Sequence, residues 1–328
     1  MSDTEGDSDT EGQEREGAQT TPEDQEEDKP EQAEPHPLTP EILAESLSLL
    51  CKTGDALAHA YVRVDLKDRE LTDINALSSF IHLRYADISG NQLDDISPLA
   101  HLSQLLWLNA EGNQLTSARL DELPFLQIAT FAHNRIRDTE GIAHPLLETL
   151  NLNHNHIQAV SGLNPEKLTS LHTLELRGNQ LESTLGINLP HLRRLYLAGN
   201  NIVSLEGLES LVGLQTLHLR ENQIEKLDGF SERMASLQYL NLRGNQIIDV
   251  QQLKSLRCLP KLRALILAEN PCTEDDSYRL EALILLPALH RLDKESFIPE
   301  ERDEAAEVLR ERQEAELNEE EQELEEAG

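Results

Sequence analysis

LHTLELRGNQL (171–181), LQTLHLRENQI (214–224) and LQYLNLRGNQI (237–247) share one pattern. An apolar residue is followed by two free positions, an apolar, one free, an apolar, two free, a polar pivot, one free and an apolar. Working outward, LRYADISGNQL (83–93) and LETLNLNHNHI (147–157) repeat it, and weaker copies fill the gaps between them. The pivot is Asn91, Asn113, Asn134, Asn155, Asn179, Asn200, Asn222, Asn245 and Asn270 in turn, with Arg69 in the same place in a first copy beginning near Tyr61. Successive pivots lie 22, 22, 21, 21, 24, 21, 22, 23 and 25 residues apart. A unit of this length cannot bury its own apolar face, so the copies must stack on one another.

Within a copy, the central apolar pair, Leu174 and Leu176 for example, alternates with polar residues as in a short parallel strand. The pivot amide offers two donors and an acceptor to backbone groups at the turn leaving that strand. The asparagines are therefore structural rather than catalytic. The return limbs, such as LDDISPLAHLSQL (93–105) and IVSLEGLESLVGL (202–214), space apolar residues by three, which suits 3₁₀ or short helical turns. The fold class is α/β: a leucine-rich-repeat solenoid of about ten coils over residues 61–270. Coils stacked at the inter-strand spacing of about 4.8 Å span roughly 45 Å.

The ends differ from the repeats. Residues 1–38 carry 14 acids and two bases and no Ile, Val, Phe, Tyr or Trp, so they are expected to form a disordered acidic tail. Ser2, Thr4, Ser8 and Thr21 each have an acid three residues later, the pattern of an acid-directed kinase; the alternative is a tail that only solvates. Residues 39–60 read as a helical amino-terminal cap: Thr39 can N-cap, Pro40 fits the first turn, and Leu43, Leu47 and Leu50 form a stripe ending before Gly54. Residues 271–293 abandon the asparagine ladder around a helical segment with Tyr278, Leu285, Leu289 and Leu292, and read as a carboxy-terminal cap. Residues 294–328, with 15 acids against four bases, read as a partly helical acidic tail, exposed and frayed by like charges.

Composition narrows the partners. The chain has 28 basic and 61 acidic residues, a formal charge of −33. Such a surface repels nucleic-acid phosphates and anionic lipid, so neither nucleic acid nor membrane is expected as a partner, and other proteins are. The amino terminus has no basic segment followed by an apolar one, and the longest apolar run, ALILLPAL (282–289), is broken by Pro287. Three scattered cysteines, Cys51, Cys258 and Cys272, suggest neither a disulfide framework nor a zinc module, and a reducing compartment is expected.

No phosphate loop, zinc spacing or nucleophile elbow occurs, so no catalytic residue, cofactor, metal or small-molecule substrate is expected and the chain does not read as an enzyme. His133 and His154 fall in one column of adjacent coils, but a zinc site needs three or four ligands. The strand positions six, four and two residues before each pivot are expected to face the concave surface of the solenoid. They place Tyr85 and Trp107 on early coils, and Arg177, Arg194, Tyr196, His218, Arg220, Tyr239 and Arg243 together on coils six to nine. Arginine and aromatic residues dominate interface energetics, so this cluster is the candidate protein-binding site. The alternative is ordinary strand decoration neutralised by the chain's own tails.

LSLLCKTGDALAHAYV (47–62), RGNQLESTLGINLP (177–190) and NPCTEDDSYRLEAL (270–283) resemble the leucine-rich-repeat proteins of the axonemal radial spoke, within the cytoplasmic 22-residue repeat family. The resemblance covers residues 38–294 and departs at Arg69 in the first pivot and Ala129 in a leucine slot. It implies a non-catalytic scaffold located in the cytoplasm and cytoskeleton, in the axoneme of a motile cilium or sperm flagellum, with radial-spoke components as partners. Two alternatives remain open: a regulatory subunit gripping a protein phosphatase through the concave face, and a nuclear histone-binding protein acting through its acidic tail.

Overall fold

The computed structural model describes residues 34–54 and 57–326. The body opens with helix α1 (Pro40–Ser46) and strand β1 (Leu47–Lys52). The repeats lay down β2 (His59–Asp65), β3 (Tyr85–Asp87), β4 (Trp107–Asn109), β5 (Ile128–Thr130), β6 (Thr149–Asn151) and β7 (Thr173–Glu175). They continue with β8 (Arg194–Tyr196), β9 (Thr216–His218), β10 (Tyr239–Asn241) and β11 (Ala264–Ile266). Helix α2 (Tyr278–Leu285), the short strands β12 (Arg291–Leu292) and β13 (Glu295–Ser296), and helix α3 (Pro299–Glu326) complete the chain. Among the described residues the strands form one 13-stranded sheet in sequence order. It is parallel from β2 to β12, with antiparallel hairpins at its two ends.

Register keeps like beside like. Leu195, Leu217, Leu240 and Leu265 pair in turn across β8 to β11, and all are fully buried or nearly so. Their strand partners Leu197, Leu219, Leu242 and Leu267 are buried too, and the return limbs complete the core from the opposite side, for example with Leu205, Leu208, Leu211 and Leu214. The three-residue spacing of these limbs gives 3₁₀ turns at Ser97–His101 and Leu208–Ser210, as expected. In the fourth coil Ala129 occupies its leucine slot fully buried, and the neighbouring core position carries Phe131, also buried, whose larger ring makes up volume.

Each pivot amide spans two coils. The Asn200 Oδ1 accepts from the Leu181 N–H at 3.1 Å, while its Nδ2 donates to the carbonyls of Leu176 at 2.9 Å and Leu197 at 3.0 Å. Asn222 repeats this with the Ile202 N–H and the Leu197 and Leu219 carbonyls, all at 3.0 Å. At the first pivot Arg69 cannot do so. Instead its backbone N–H donates to the Asn91 Oδ1 and its guanidinium sits 3.9 Å from Glu45 of α1.

The amino-terminal end departs from expectation. His36 and Leu38 exchange backbone hydrogen bonds with Thr72 and Asp73, and Leu38 is buried, so the acidic tail is anchored before its expected boundary at residue 38. The rest of that tail, with Ser2, Thr4, Ser8 and Thr21, lies outside the described residues. Thr39 does cap α1, accepting from the Ile42 N–H at 3.4 Å. The helix then stops at Ser46 rather than running towards Gly54, and Leu47–Lys52 pairs with β2. The first coil has unpaired strand groups to satisfy, and a hairpin satisfies them where a helix cannot. Leu49 and Leu50 are consequently more than half exposed instead of forming a core stripe.

At the other end, Asp293 takes the place of a further backbone partner. Its Oδ1 accepts from the N–H groups of Leu267 and Ala268 at 2.7 and 2.8 Å, and Tyr278 donates its hydroxyl to the other carboxylate oxygen. Helix α3 is not the free, frayed helix expected from its glutamates. Ala305 is buried, Val308 and Leu309 pack on the core, and Arg279 pairs with Glu301 at 2.6 Å. Arg302 donates to the carbonyls of Pro287 and Leu289, and Arg312 pairs with Glu281. The apolar residues 305, 308 and 309 were a signal, obscured by the surrounding acids.

Two predictions follow from this packing. Asn200→Ala or Asn222→Ala should lower stability by about 1–3 kcal/mol, by orphaning buried backbone groups, and Leu195→Ala by about 2–5 kcal/mol through a core cavity. Urea titrations with an unchanged midpoint would contradict both. The second concerns His144, 1 % exposed, whose Nδ1 accepts from the Leu123 N–H at 3.1 Å across coils. Burial pushes its pKa down from 6.5 to about 4, so the folded state holds it neutral. Its contribution is fully present above pH 6.5 and is lost as pH falls towards 4. The total is about 3 kcal/mol. His144→Asn keeps an acceptor without the titration, and its stability measured at pH 7 and pH 4.5 should fall less than that of the parent chain.

Candidate protein-binding surface

Alternation along each strand sends one set of side chains into the core and the other onto the open face of the sheet. Parallel register then aligns the outward set into columns. Arg194, Thr216, Tyr239 and Ala264 are successive partners in one column, and Glu175, Tyr196, His218 and Asn241 in the next.

Four of the candidate residues form a continuous stack across β7 to β10. The Arg177 guanidinium lies 4.4 Å from the centre of the Tyr196 ring. Tyr196 and His218 follow at 4.9 Å and His218 and Tyr239 at 5.0 Å, with the rings tilted by 33° and 32°. Aromatic pairs at such distances contribute about 0.5–1.5 kcal/mol beyond burial, and a guanidinium over a ring about 0.5–1 kcal/mol. The stack explains why Arg177, Tyr196, His218 and Tyr239 are half-buried rather than solvent-exposed. Burial, reinforced by the Arg177 charge, holds the His218 pKa below the ordinary histidine value, and burial raises that of Tyr239.

The charges are distributed less simply than a basic patch would require. Arg220 pairs with Glu221 at 2.5 Å and Arg243 with Glu269, so both cations arrive partly neutralised. The Arg194 Nε donates to the Thr173 hydroxyl at 3.0 Å, which orients the guanidinium without cancelling its charge. Glu221 and Glu269 stand immediately before a pivot, a position with positive φ throughout the repeats: Asp68, Gly90, Gly112, His133, His154, Gly178, Gly199, Glu221, Gly244 and Glu269. Reading the sequence by strand columns misses this further column of side chains. The recurrent Gly-Asn dipeptide was the signal, because glycine is the residue that takes φ > 0 freely.

Tyr85 and Trp107 are neighbours on β3 and β4, followed by Ile128 on β5, and Tyr85 is 39 % exposed. Thr149 and Thr173 separate this apolar row from Arg194, so the candidate residues form two groups rather than one. His133 and His154 stack face to face at 4.5 Å with an interplanar angle of 16°. Among the described residues no group of three His, Cys, Asp or Glu gathers around a common point. No helix among them is long and apolar enough to cross a membrane.

The leucine-rich repeat family model matches residues 172–321, and a model of two leucine-rich repeat copies matches residues 145–188. Human leucine-rich repeat-containing protein 23 is 58 % identical over 283 residues, covering 86 % of this chain and 82 % of the human one. The chain belongs to the leucine-rich repeat-containing protein 23 family. Human cilia- and flagella-associated protein 410 is 36 % identical over 115 residues, 34 % of this chain and 44 % of that protein. Among solved structures, the complex of TLR13 with ssRNA13 matches 75 % of this chain and 40 % of that one at 22 % identity and a TM-score of 0.54, a likeness of fold. Repeat proteins of this class are generally non-catalytic and bind other proteins, and membership implies a protein-binding scaffold.

Exposed ion pairs contribute under about 1 kcal/mol. Glu221→Gln with Glu269→Gln should therefore change the denaturation midpoint little, while freeing Arg220 and Arg243 to retain the protein longer on an immobilised acidic peptide. Unchanged retention would show that these two cations are not presented to a partner.

Proposed function

We propose that the protein is a structural scaffold of the axoneme in motile cilia and sperm flagella, a component of the radial spoke that motility requires. It has no catalytic role on this reading, and it grips its neighbours through the open face of coils six to nine. The observation that carries the binding reading is the Arg177–Tyr196–His218–Tyr239 stack. It presents a row of ordered rings, and ordered aromatic side chains lose little conformational entropy when a partner covers them. The asparagine column beneath it serves to hold the strands in place. The axonemal setting draws on the resemblance of the 47–62, 177–190 and 270–283 segments to radial-spoke repeat proteins. The similarity to a protein named for cilia and flagella supports it.

A tagged copy expressed in sperm tests the setting: it should stay with the axoneme through detergent and high-salt extraction. Recovery in the soluble or nuclear fraction would refute it. Arg177→Ala with Tyr196→Ala removes the head of the stack without touching the core. The variant should unfold cooperatively near the parent's midpoint yet lose at least about tenfold in incorporation, since truncated interface anchors cost about 2 kcal/mol or more. Normal incorporation of the folded variant would move the contact elsewhere on the solenoid.

A further inference from the structure

Beside the aromatic stack, at the start of β7 to β9, a cavity of about 320 Å³ opens between His172, Arg193, Arg194, Gln215 and Thr216. Glu148 and Thr149 line its far side. Register builds it. The backbone N–H groups of Arg193 and Arg194 both donate to the His172 carbonyl at 2.9 Å, which fixes the two arginines against one neighbouring strand. Thr173 holds the Arg194 guanidinium through its hydroxyl at 3.0 Å.

Charge is the telling feature. The chain carries more than twice as many acids as bases, 61 against 28. On the open face of the neighbouring coils, Arg220 and Arg243 each have a carboxylate partner. Among the described residues Arg193 and Arg194 have none within 4 Å. Two consecutive arginines lining one cavity without a carboxylate partner, with Thr216 and Gln215 beside them, are a donor set that suits a phosphate dianion: planar forks that bind two oxygens at once. Glu148 shares the lining but makes no ion pair with either arginine within 4 Å. Its backbone lies two strands from that of Arg193, and its carboxylate can accept a backbone N–H of an incoming chain.

We infer that this cavity binds a phosphorylated serine or threonine side chain of a partner protein. The inference names the chemistry of the partner and rests on the reading that partners dock on this face. The phosphoryl group sits between Arg193, Arg194 and His172, with Thr216 and Gln215 completing its hydrogen bonds. The flanking chain then runs onto the stack that begins at Arg177. A partner unable to enter while unphosphorylated would make assembly conditional on a kinase.

The test uses the full chain, a fluorescent acetyl-Gly-Ala-phosphoserine-Ala-Gly peptide, its unphosphorylated copy, and inorganic phosphate as competitor. The phosphorylated peptide should bind at least about tenfold more tightly than its copy. Arg193→Ala with Arg194→Ala should erase that preference at an unchanged melting temperature. Arg193→Lys with Arg194→Lys, which keeps the charge but loses the fork, should weaken it. Equal binding of the two peptides, or a preference that survives the alanine pair, would overturn the inference. Inorganic phosphate binding as tightly as the phosphopeptide would also overturn it, leaving only an anion site. Arg177→Ala with Tyr196→Ala should leave the peptide preference intact. Loss of axonemal incorporation in that variant and loss of phosphopeptide binding in the alanine pair are therefore separate results.

Discussion

A buried backbone N–H without a partner costs about 1–3 kcal/mol, and every turn leaving a strand of this sheet creates one. Leu181, Ile202, Ile224 and Ile247 donate theirs to the Oδ1 of Asn200, Asn222, Asn245 and Asn270 in the following coil. The Nδ2 of each asparagine returns two bonds, one to its own coil and one to the coil before. No other neutral side chain of that length supplies both an acceptor and two donors. The leucines supply the apolar burial; the amides fix where one coil sits on the next. The two ends are where this arrangement runs out, and each substitutes its own device: a backbone N–H and a hairpin at Arg69, a carboxylate at Asp293.

Fixing the strands fixes the open face with them. Neighbouring strands lie about 4.8 Å apart, close to the separation at which aromatic rings stack favourably. Two rings placed in one column therefore meet without further adjustment. Tyr196 and His218 at 4.9 Å, and His133 and His154 at 4.5 Å, are both consequences of that coincidence. A repeat sheet thus turns a one-dimensional sequence pattern into a preorganised row, and the rings in it hold each other in place before any partner arrives.

This geometry also explains which features were legible in the chain. A column needs only the period, so the pivots, the core leucines and the outward positions of Tyr196 and His218 could be read from spacing. Pairings that leave the column could not. Arg243 meets Glu269 because the residue before a pivot turns through positive φ and presents its side chain beside the next strand. That is a property of the turn, not of the strand. The early end of α1 was hidden for a related reason: Leu43, Leu47 and Leu50 fit a helical stripe, but the unpaired edge of β2 competes for the same segment. Local pattern and edge satisfaction pointed opposite ways, and the edge prevailed because unpaired strand groups are costlier than a shortened helix. In α3 the apolar residues 305, 308 and 309 were visible, but their effect depends on a docking surface built by Leu283 and Ile284 more than twenty residues earlier.

The net charge of −33 describes the chain as a whole and says little about any one site. Much of the acid lies in the two ends, with 14 acidic residues before residue 39 and 15 after residue 293. The sheet, by contrast, sorts its own charges: carboxylates before the pivots shadow Arg220 and Arg243, a ring shields Arg177, and a hydroxyl orients Arg194. These four arginines thereby meet three different fates, set by the residue beside each. Coulomb attraction at a wet surface is weak and screened within about 8 Å at physiological salt, so the immediate neighbours of a side chain decide more of its charge balance than the net charge of the chain does. An acidic protein can therefore carry a cationic site where neutral residues surround the arginines, as Thr149, Gln215 and Thr216 do here, with Glu148 the one carboxylate in the lining.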